Sequence, residues 1–278
     1  MAHLEAAPIL ENREVAPLHF QMILKSPRIA REAKPGQFVH IRCGNEFEPL
    51  LRRPFSFLRI RKSEGIIEIL YKTVGVGTEL LSLANPGDSL DILGPLGKTF
   101  DVGPDKKHIL LAGAGVGIPP MVAVAEGLKS ADSQTGSALP IREIIPILAG
   151  RTKELVICID DFQKIGLGPE IATDDGSLGE KGLITDRLAG IIKKRGFDKA
   201  ASETMILGCG PQPMLNAVAE LSFKFQIACQ LSVEEKMGCA IGACLACVIP
   251  TVHGPSRVCC DGTVYDSREI LWDKYAHA

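Results

Sequence analysis

Four cysteines close to the C-terminus, Cys239, Cys244, Cys247 and Cys259, stand in MGCAIGACLACVIPTVHGPSRVCC with the spacing C-x4-C-x2-C-x11-C. Small residues flank and separate them, among them Gly238, Ala240, Gly242, Ala243 and Ala246. Such residues allow tight turns and leave backbone N–H groups free to point at sulfur. The last fifty or so residues bury little core unaided, because short segments expose most of their surface. A centre that gathers the thiolates supplies the staple that such a segment lacks.

Two metal chemistries use four cysteines. Structural zinc sites favour two C-x2-4-C knuckles, and only one half of this pattern has that form. The C-x4-C-x2-C…C spacing is that of a plant-type [2Fe-2S] loop, and thiolate is the ligand that iron in such clusters takes. The spacing therefore predicts a cluster held by Cys239, Cys244, Cys247 and one of the adjacent pair Cys259 and Cys260. Neighbouring side chains of an extended segment point oppositely, so one of the two faces the cluster, and Cys259 is the expected ligand with Cys260 as the open alternative. A cluster of this kind passes one electron at a time, which makes the chain an electron carrier. Of the cysteines outside the pattern, Cys43, Cys158, Cys209, Cys229 and Cys260, most read as small buried hydrophobes, with Cys209 as the exception taken up below.

The length of 278 residues implies about two domains, and a net charge of -2 offers no basic stripe for nucleic acid and no polybasic membrane anchor. The N-terminus carries Glu5, Glu11 and Glu14 and lacks the basic and apolar regions of a signal peptide. The longest uncharged run, Ile109 to Ala125, contains three glycines and two adjacent prolines over seventeen residues, fewer than a membrane helix needs. It reads as a buried strand, a glycine turn and the start of a helix. A cytoplasmic chain with reduced thiols is the expectation.

Residues 1–102 carry short apolar runs at Phe38 to Ile41, Phe55 to Leu58, Ile66 to Tyr71 and Ser89 to Leu93, separated by turn signals such as Asn85-Pro86-Gly87-Asp88. This predicts an antiparallel β-barrel interrupted by one helical segment, Glu79 to Leu83. Residues 103–225 alternate strands and helices: strands at Ile109 to Ala112, Ile144 to Ala149, Leu155 to Cys158 and Thr204 to Leu207, and helices at Pro119 to Lys129, Ile184 to Lys194 and Pro213 to Phe223. That alternation predicts an α/β domain with a doubly wound parallel sheet. The polar stretch Ser130 to Ser137 reads as a surface loop, and residues 226–278 as a third, small cluster domain.

Several short motifs point to nucleotides. In Arg53-Pro54-Phe55-Ser56 the guanidinium fork suits a diphosphate and the hydroxyl adds a further hydrogen bond. Leu70-Tyr71-Lys72 leads from a strand into Gly75-Val76-Gly77-Thr78, and the glycines open a helix where an anion is favoured. The strand offers backbone groups and an aromatic face to a flat heterocycle. Gly113-Ala114-Gly115-Val116-Gly117 joins a strand to a helix, the context that gives a glycine-rich turn meaning, although its spacing departs from the dinucleotide fingerprint. Gly208-Cys209-Gly210-Pro211 has the same context, so the two turns are expected to flank one crevice, with the small Cys209 against a nicotinamide ring. Asp174-Asp175-Gly176-Ser177 is a turn by composition. The six scattered histidines form no nucleophile or metal pattern, and no catalytic residue is assigned.

These motifs in this order resemble the ferredoxin reductase family, and with the cysteine block behind them they resemble its branch of dihydroorotate dehydrogenase B electron transfer subunits, over essentially the whole chain. The resemblance implies an FAD-binding barrel, an NAD-binding domain and a [2Fe-2S] domain. It implies FAD contacts at Arg53, Pro54, Phe55, Ser56, Leu70, Tyr71, Lys72, Gly77 and Thr78, with NAD at Gly113, Gly115, Gly117, Cys209 and Gly210. It further implies an FMN-containing catalytic partner subunit, in a heterotetramer of two plus two, that oxidises dihydroorotate to orotate in pyrimidine (UMP) biosynthesis. Electrons then run from FMN through the cluster and FAD to NAD+. Two alternatives share parts of this pattern: a subunit of a sulfide dehydrogenase or bifurcating ferredoxin:NADP oxidoreductase, and a cluster-bearing redox sensor without turnover.

Overall fold

Alternating burial along the N-terminal hundred residues produces six strands rather than the four expected. The computed structural model describes residues 2–44, 48–134 and 142–275. Strand β1 (His3–Ala16) is followed by β2 (His19–Lys25), the short helix α1 (Pro27–Glu32), β3 (Phe38–Ile41), β4 (Arg53–Arg61), β5 (Ile66–Lys72), helix α2 (Val76–Ser82) and β6 (Ser89–Leu96). The strands close into a barrel in the order β1-β2-β5-β4-β3-β6. One long strand makes the closure possible: β1 pairs with β6 from His3 to Pro8 and with β2 from Ile9 to Ala16. Full closure leaves no unpaired strand edge. Ile9, Met22, Val39, Phe57, Ile69 and Ile92 are among the side chains that fill the interior. Asn12 donates to the carbonyls of Leu81 and Ala84 at 2.9 Å each, which anchors the end of α2 to β1.

From residue 100 onward the chain builds a seven-stranded sheet. Its elements are β7 (His108–Ala114), α3 (Ile118–Gln134), β8 (Glu143–Gly150), α4 (Ile159–Lys164), β9 (Glu170–Thr173), β10 (Glu180–Lys181), α5 (Ile184–Arg195), β11 (Thr204–Cys209), α6 (Gln212–Phe225) and β12 (Ala228–Ser232). The remaining elements are the hairpin β13 (Val248–Thr251) and β14 (Gly254–Arg257), the single turn α7 (Val258–Asp261), β15 (Val264–Asp266) and α8 (Trp272–Tyr275). The sheet order is β10-β9-β8-β7-β11-β12-β15, parallel except for β15. Ile109 to Ala112 are completely buried, as a parallel strand covered on both faces must be. Helices α5 and α6 pack together, and α3 packs against β7, β8 and β11.

Two expectations change. Leu155 to Cys158 forms no strand: residues 153–155 make a 3-10 turn, and Cys158 takes a φ of 62°, in the left-handed region, which breaks extension before α4. The place beside β8 goes to β9 instead. The polar stretch from Ser130 continues α3 as far as Gln134, and the rest of that expected loop, to Ser137, lies outside the described residues.

The chain divides into two compact units. One comprises Met1–Thr99 with Glu234–Ile249 and Pro255–Thr263, the other Phe100–Val233 with Pro250–Gly254 and Val264–Ala278. The C-terminal residues past 226, expected as a separate domain, are thus shared: β12 and β15 extend the parallel sheet, while the cysteine loop and α7 belong with the barrel. Within that first unit, the Thr263 hydroxyl donates to the Gly36 carbonyl at 2.8 Å, tying the segment to the barrel.

Candidate functional site

The cysteine loop forms with two non-glycine residues in the left-handed region, Ala240 (φ 57°) and Leu245 (φ 59°), and with Gly242 at φ 80°. These turns wrap the backbone around Cys239. Its Sγ accepts N–H groups from Ile241 at 3.4 Å, Ala243 at 3.3 Å and Cys244 at 3.4 Å. The Ile241 N–H is the main reason the Cys239 thiol is lowered to about 6, with the backbone and side chain of Cys244 and the N–H of Ala243 assisting. A thiolate is the form that binds metal, so this cage prepares a ligand. The expected tight, small-residue loop with N–H groups aimed at sulfur is what forms.

The four thiols associate in twos. Cys239 interacts with Cys244. Cys247 and Cys259, both buried, interact with each other, and the Val258 N–H donates to the Cys247 carbonyl at 2.9 Å. Burial raises the Cys259 thiol, so a metal must displace its proton. A dinuclear cluster takes two cysteines on each iron, whereas a single tetrahedral zinc draws four to one point. The two pairs suit the dinuclear centre.

Cys259 and Cys260 do not lie on the extended segment that was expected to point them oppositely. Val258–Asp261 is a helical turn, α7, and the two sulfurs lie 3.6 Å apart. Cys259 is 1% exposed and faces Cys247, whereas Cys260 is exposed. Arg257 clamps this turn: its side chain holds Asp261 through two contacts at 2.9 and 3.1 Å and reaches the Gly242 carbonyl at 3.4 Å. The i, i+4 spacing of Arg257 and Asp261 was the available signal.

On the same unit, Arg53, Gly77 and Thr78 come together at the start of α2. A β-carbon on Gly77 would lie 3.5 Å from the Arg53 Nε and 3.4 Å from the Cys43 Sγ. Arg53 donates to the carbonyls of Leu51 at 2.7 Å and Arg52 at 3.2 Å, which directs its fork. The Thr78 hydroxyl accepts N–H groups from Val74 at 2.8 Å and Gly75 at 3.2 Å and donates to the Gly75 carbonyl at 2.9 Å. The guanidinium and the glycine backbone that opens α2 form a cradle that fits a diphosphate, with the Thr78 hydroxyl engaged in shaping the turn. Burial pushes the Cys43 thiol of this cradle up to about 11, so it stays neutral.

The aromatic residues of these motifs take a different position from the one expected. Tyr71 is 2% exposed, stacks on Phe20 at 5.8 Å, meets the edge of Phe55 at 5.5 Å and donates its hydroxyl to Asn12 at 3.1 Å. Its ring and that of Phe55 fill the barrel, so neither presents the open aromatic face that was expected. Pro54, Ser56 and Lys72 remain on accessible surface.

In the second unit, the glycine turns after β7 and β11 meet. A β-carbon on Gly117 would fall 2.3 Å from the Cys209 carbonyl oxygen and 2.5 Å from the Gly210 nitrogen, so only glycine fits. Gly113 lies beside Cys209 in the parallel register, and Gly115 takes a φ of 54°. Both turns sit at the carboxyl ends of adjacent parallel strands, where such sheets bind ligands. Asp174 to Ser177 follow β9 at the same end, held by an Asp174 N–H to the Gly150 carbonyl at 3.2 Å and by a Lys153 N–H to the Ser177 hydroxyl at 2.8 Å.

Residues 234–271 match the model of the iron-sulfur cluster binding domain of dihydroorotate dehydrogenase B. The chain is 34% identical over 277 residues, covering 98% of itself and 100% of the relative, to the electron transfer subunit of dihydroorotate dehydrogenase B (NAD(+)) from Desulforamulus reducens. It is 36% identical over 275 residues to the subunit of that name from Geobacillus thermodenitrificans, covering 96% of itself and 98% of the relative. A solved structure of an NADH-dependent reduced ferredoxin-NADP oxidoreductase, described for flavin-based electron bifurcation, aligns with a TM-score of 0.83 at 29% identity, over 98% of this chain and 92% of that one.

Proposed function

Because the chain belongs to the family of electron transfer subunits of dihydroorotate dehydrogenase B, we propose that it carries electrons from an FMN-containing catalytic subunit to NAD+ in pyrimidine biosynthesis. It is an oxidoreductase subunit of the FAD, [2Fe-2S] and NAD class. The observation that carries the reading is the presence of two thiol pairs and a diphosphate cradle on one compact unit, and of paired glycine turns on the other.

A bound flavin exchanges a hydride's two electrons for single ones, and a bound [2Fe-2S] cluster carries those one at a time. The residues of the chain bind and orient. The Arg53 guanidinium and the backbone of Gly77 and Thr78 hold the FAD diphosphate, Ser56 and the backbone of Leu70 to Lys72 position the flavin, and Cys239, Cys244, Cys247 and Cys259 ligate iron. Gly113 to Gly117, Cys209 and Gly210 receive the nicotinamide nucleotide. Among the described residues no helix is long and apolar enough to cross a membrane. A heterotetramer of two plus two, in the cytoplasm where thiols stay reduced, completes the proposal.

The test combines flavin, iron and sulfide assays with rapid mixing. NADH bleaches the flavin and then reduces the cluster in the purified chain, and the chain elutes with its catalytic partner in gel filtration. Dihydroorotate-dependent NADH formation by that complex is the expected result. The bifurcating oxidoreductase reading, favoured by the 0.83 TM-score, holds instead if the complex reduces ferredoxin and not NAD+. Zinc without flavin overturns both.

A further inference from the structure

The chain carries one more thiol at the cluster site than four ligands require. Cys260 is exposed, and its Sγ lies 3.6 Å from that of the buried Cys259. The two occupy one helical turn, where successive side chains project about 100° apart, so both sulfurs reach a common region without backbone rearrangement. Cys260 also lies over the ligand loop, since a β-carbon on Gly242 would come within 3.0 Å of its Sγ. The Arg257 guanidinium holds the turn in place against the Gly242 carbonyl. Cys259, by contrast, is 1% exposed and has little access from solvent.

We propose that Cys260 is an auxiliary iron ligand, an exposed thiol that takes iron from a thiolate-held donor complex, one donor thiolate leaving with the Cys260 proton as the Cys260–iron bond forms, and that then hands the iron to Cys259. The proposal rests on the assignment of Cys239, Cys244, Cys247 and Cys259 as the resident ligands. The hand-over is a ligand exchange with no electron transferred. The iron–sulfur bond to Cys260 breaks, the bond to Cys259 forms, and the proton leaving the Cys259 thiol passes to the Cys260 thiolate beside it. The exposed thiol gives iron an entry, and burial of the final ligand keeps the finished site from solvent.

The test uses the full chain, stripped of iron anaerobically and loaded from a glutathione-held [2Fe-2S] complex, with uptake followed by visible circular dichroism. Cys260→Ser reaches the parent's final spectrum at least fivefold more slowly. Cys259→Ser retains at least half the parent's iron with a shifted electron paramagnetic resonance signal, and the double variant retains none. FAD content reports the fold of each variant. Loading of Cys260→Ser at the parent rate, or a folded Cys259→Ser as empty as the double variant, overturns the proposal. Should Cys259→Ser not fold, the Cys260→Ser rate decides alone. A parent chain that takes up no cluster overturns the ligand assignment beneath it.

Discussion

His40 on β3 is fully buried. Burial, with the charges of Arg52 and Arg53 adding to it, lowers its pKa from the ordinary 6.5 to about 4. The unfolded chain therefore binds a proton between these values and the folded chain does not, so stability is complete above pH 6.5 and falls as pH drops toward 4. The loss reaches at most about 3 kcal/mol, and urea midpoints at pH 7 and pH 4.5 measure it. His40→Leu flattens that part of the profile, and an unchanged slope in the variant would assign the acid loss to other groups. A second residue-scale prediction concerns Arg53, whose fork is set by the Leu51 and Arg52 carbonyls. Arg53→Gln weakens FAD binding by about 1.5–3 kcal/mol, roughly ten- to a hundredfold, while the melting temperature of the flavin-free chain stays put. Flavin fluorescence titration checks it, and parent-like affinity removes Arg53 from the cradle. The motif around Arg53 was legible because its chemistry is local. The inward direction of Phe55 and Tyr71 was not, since it depends on the barrel closing over them.

The turn after β7 shows what a single element contributes. Gly117→Ala drives a methyl group into the Cys209 carbonyl, and overpacking of this kind costs about 3 kcal/mol. The expected outcome is a lower melting temperature of the second unit and weaker NADH binding, with FAD content and the cluster spectrum as in the parent. Loss of flavin or cluster would mean that the damage is global. Strand β7 could be read from sequence because a parallel strand buried on both faces is a continuous apolar run. The run Leu155 to Cys158 has a similar composition, yet the left-handed Cys158 ends it, and composition does not report φ. Strands β1 and β2 escaped notice for a different reason. On β1 the outward positions are largely apolar, Leu4, Ala6, Pro8 and Leu10, while the charged Glu5 and Glu11 are half-buried, so the pattern runs against ordinary alternation, and the partner strands β6 and β5 lie far along the chain.

At the scale of the whole molecule, the cysteine loop folds with the barrel while β12 and β15 complete the parallel sheet. Iron removal by a chelator is therefore expected to act locally. Amide hydrogen exchange in residues 234–263 should rise by at least tenfold, with the barrel strands of residues 1–99 keeping their protection. Equal loss of protection in the barrel would show that the cluster holds the entire unit together. The net charge of -2 gives little long-range steering, so association with a catalytic partner should depend only weakly on salt. A steep decline between 50 mM and 200 mM salt would point to a charged interface instead.

The amino-acid sequence determined the cofactor chemistry, because cysteine spacing and glycine turns act over a few residues and the peptide geometry between them allows few alternatives. It also determined the two fold classes, through alternation in one half and continuous apolar runs in the other. Only the tertiary structure decided how the parts are used. It paired Cys247 with Cys259, set Cys260 outside, turned Tyr71 inward, pressed Gly117 against Cys209 and divided the C-terminal tail between two units. Each of those outcomes depends on contacts between residues distant in the chain, whose directions are set by packing.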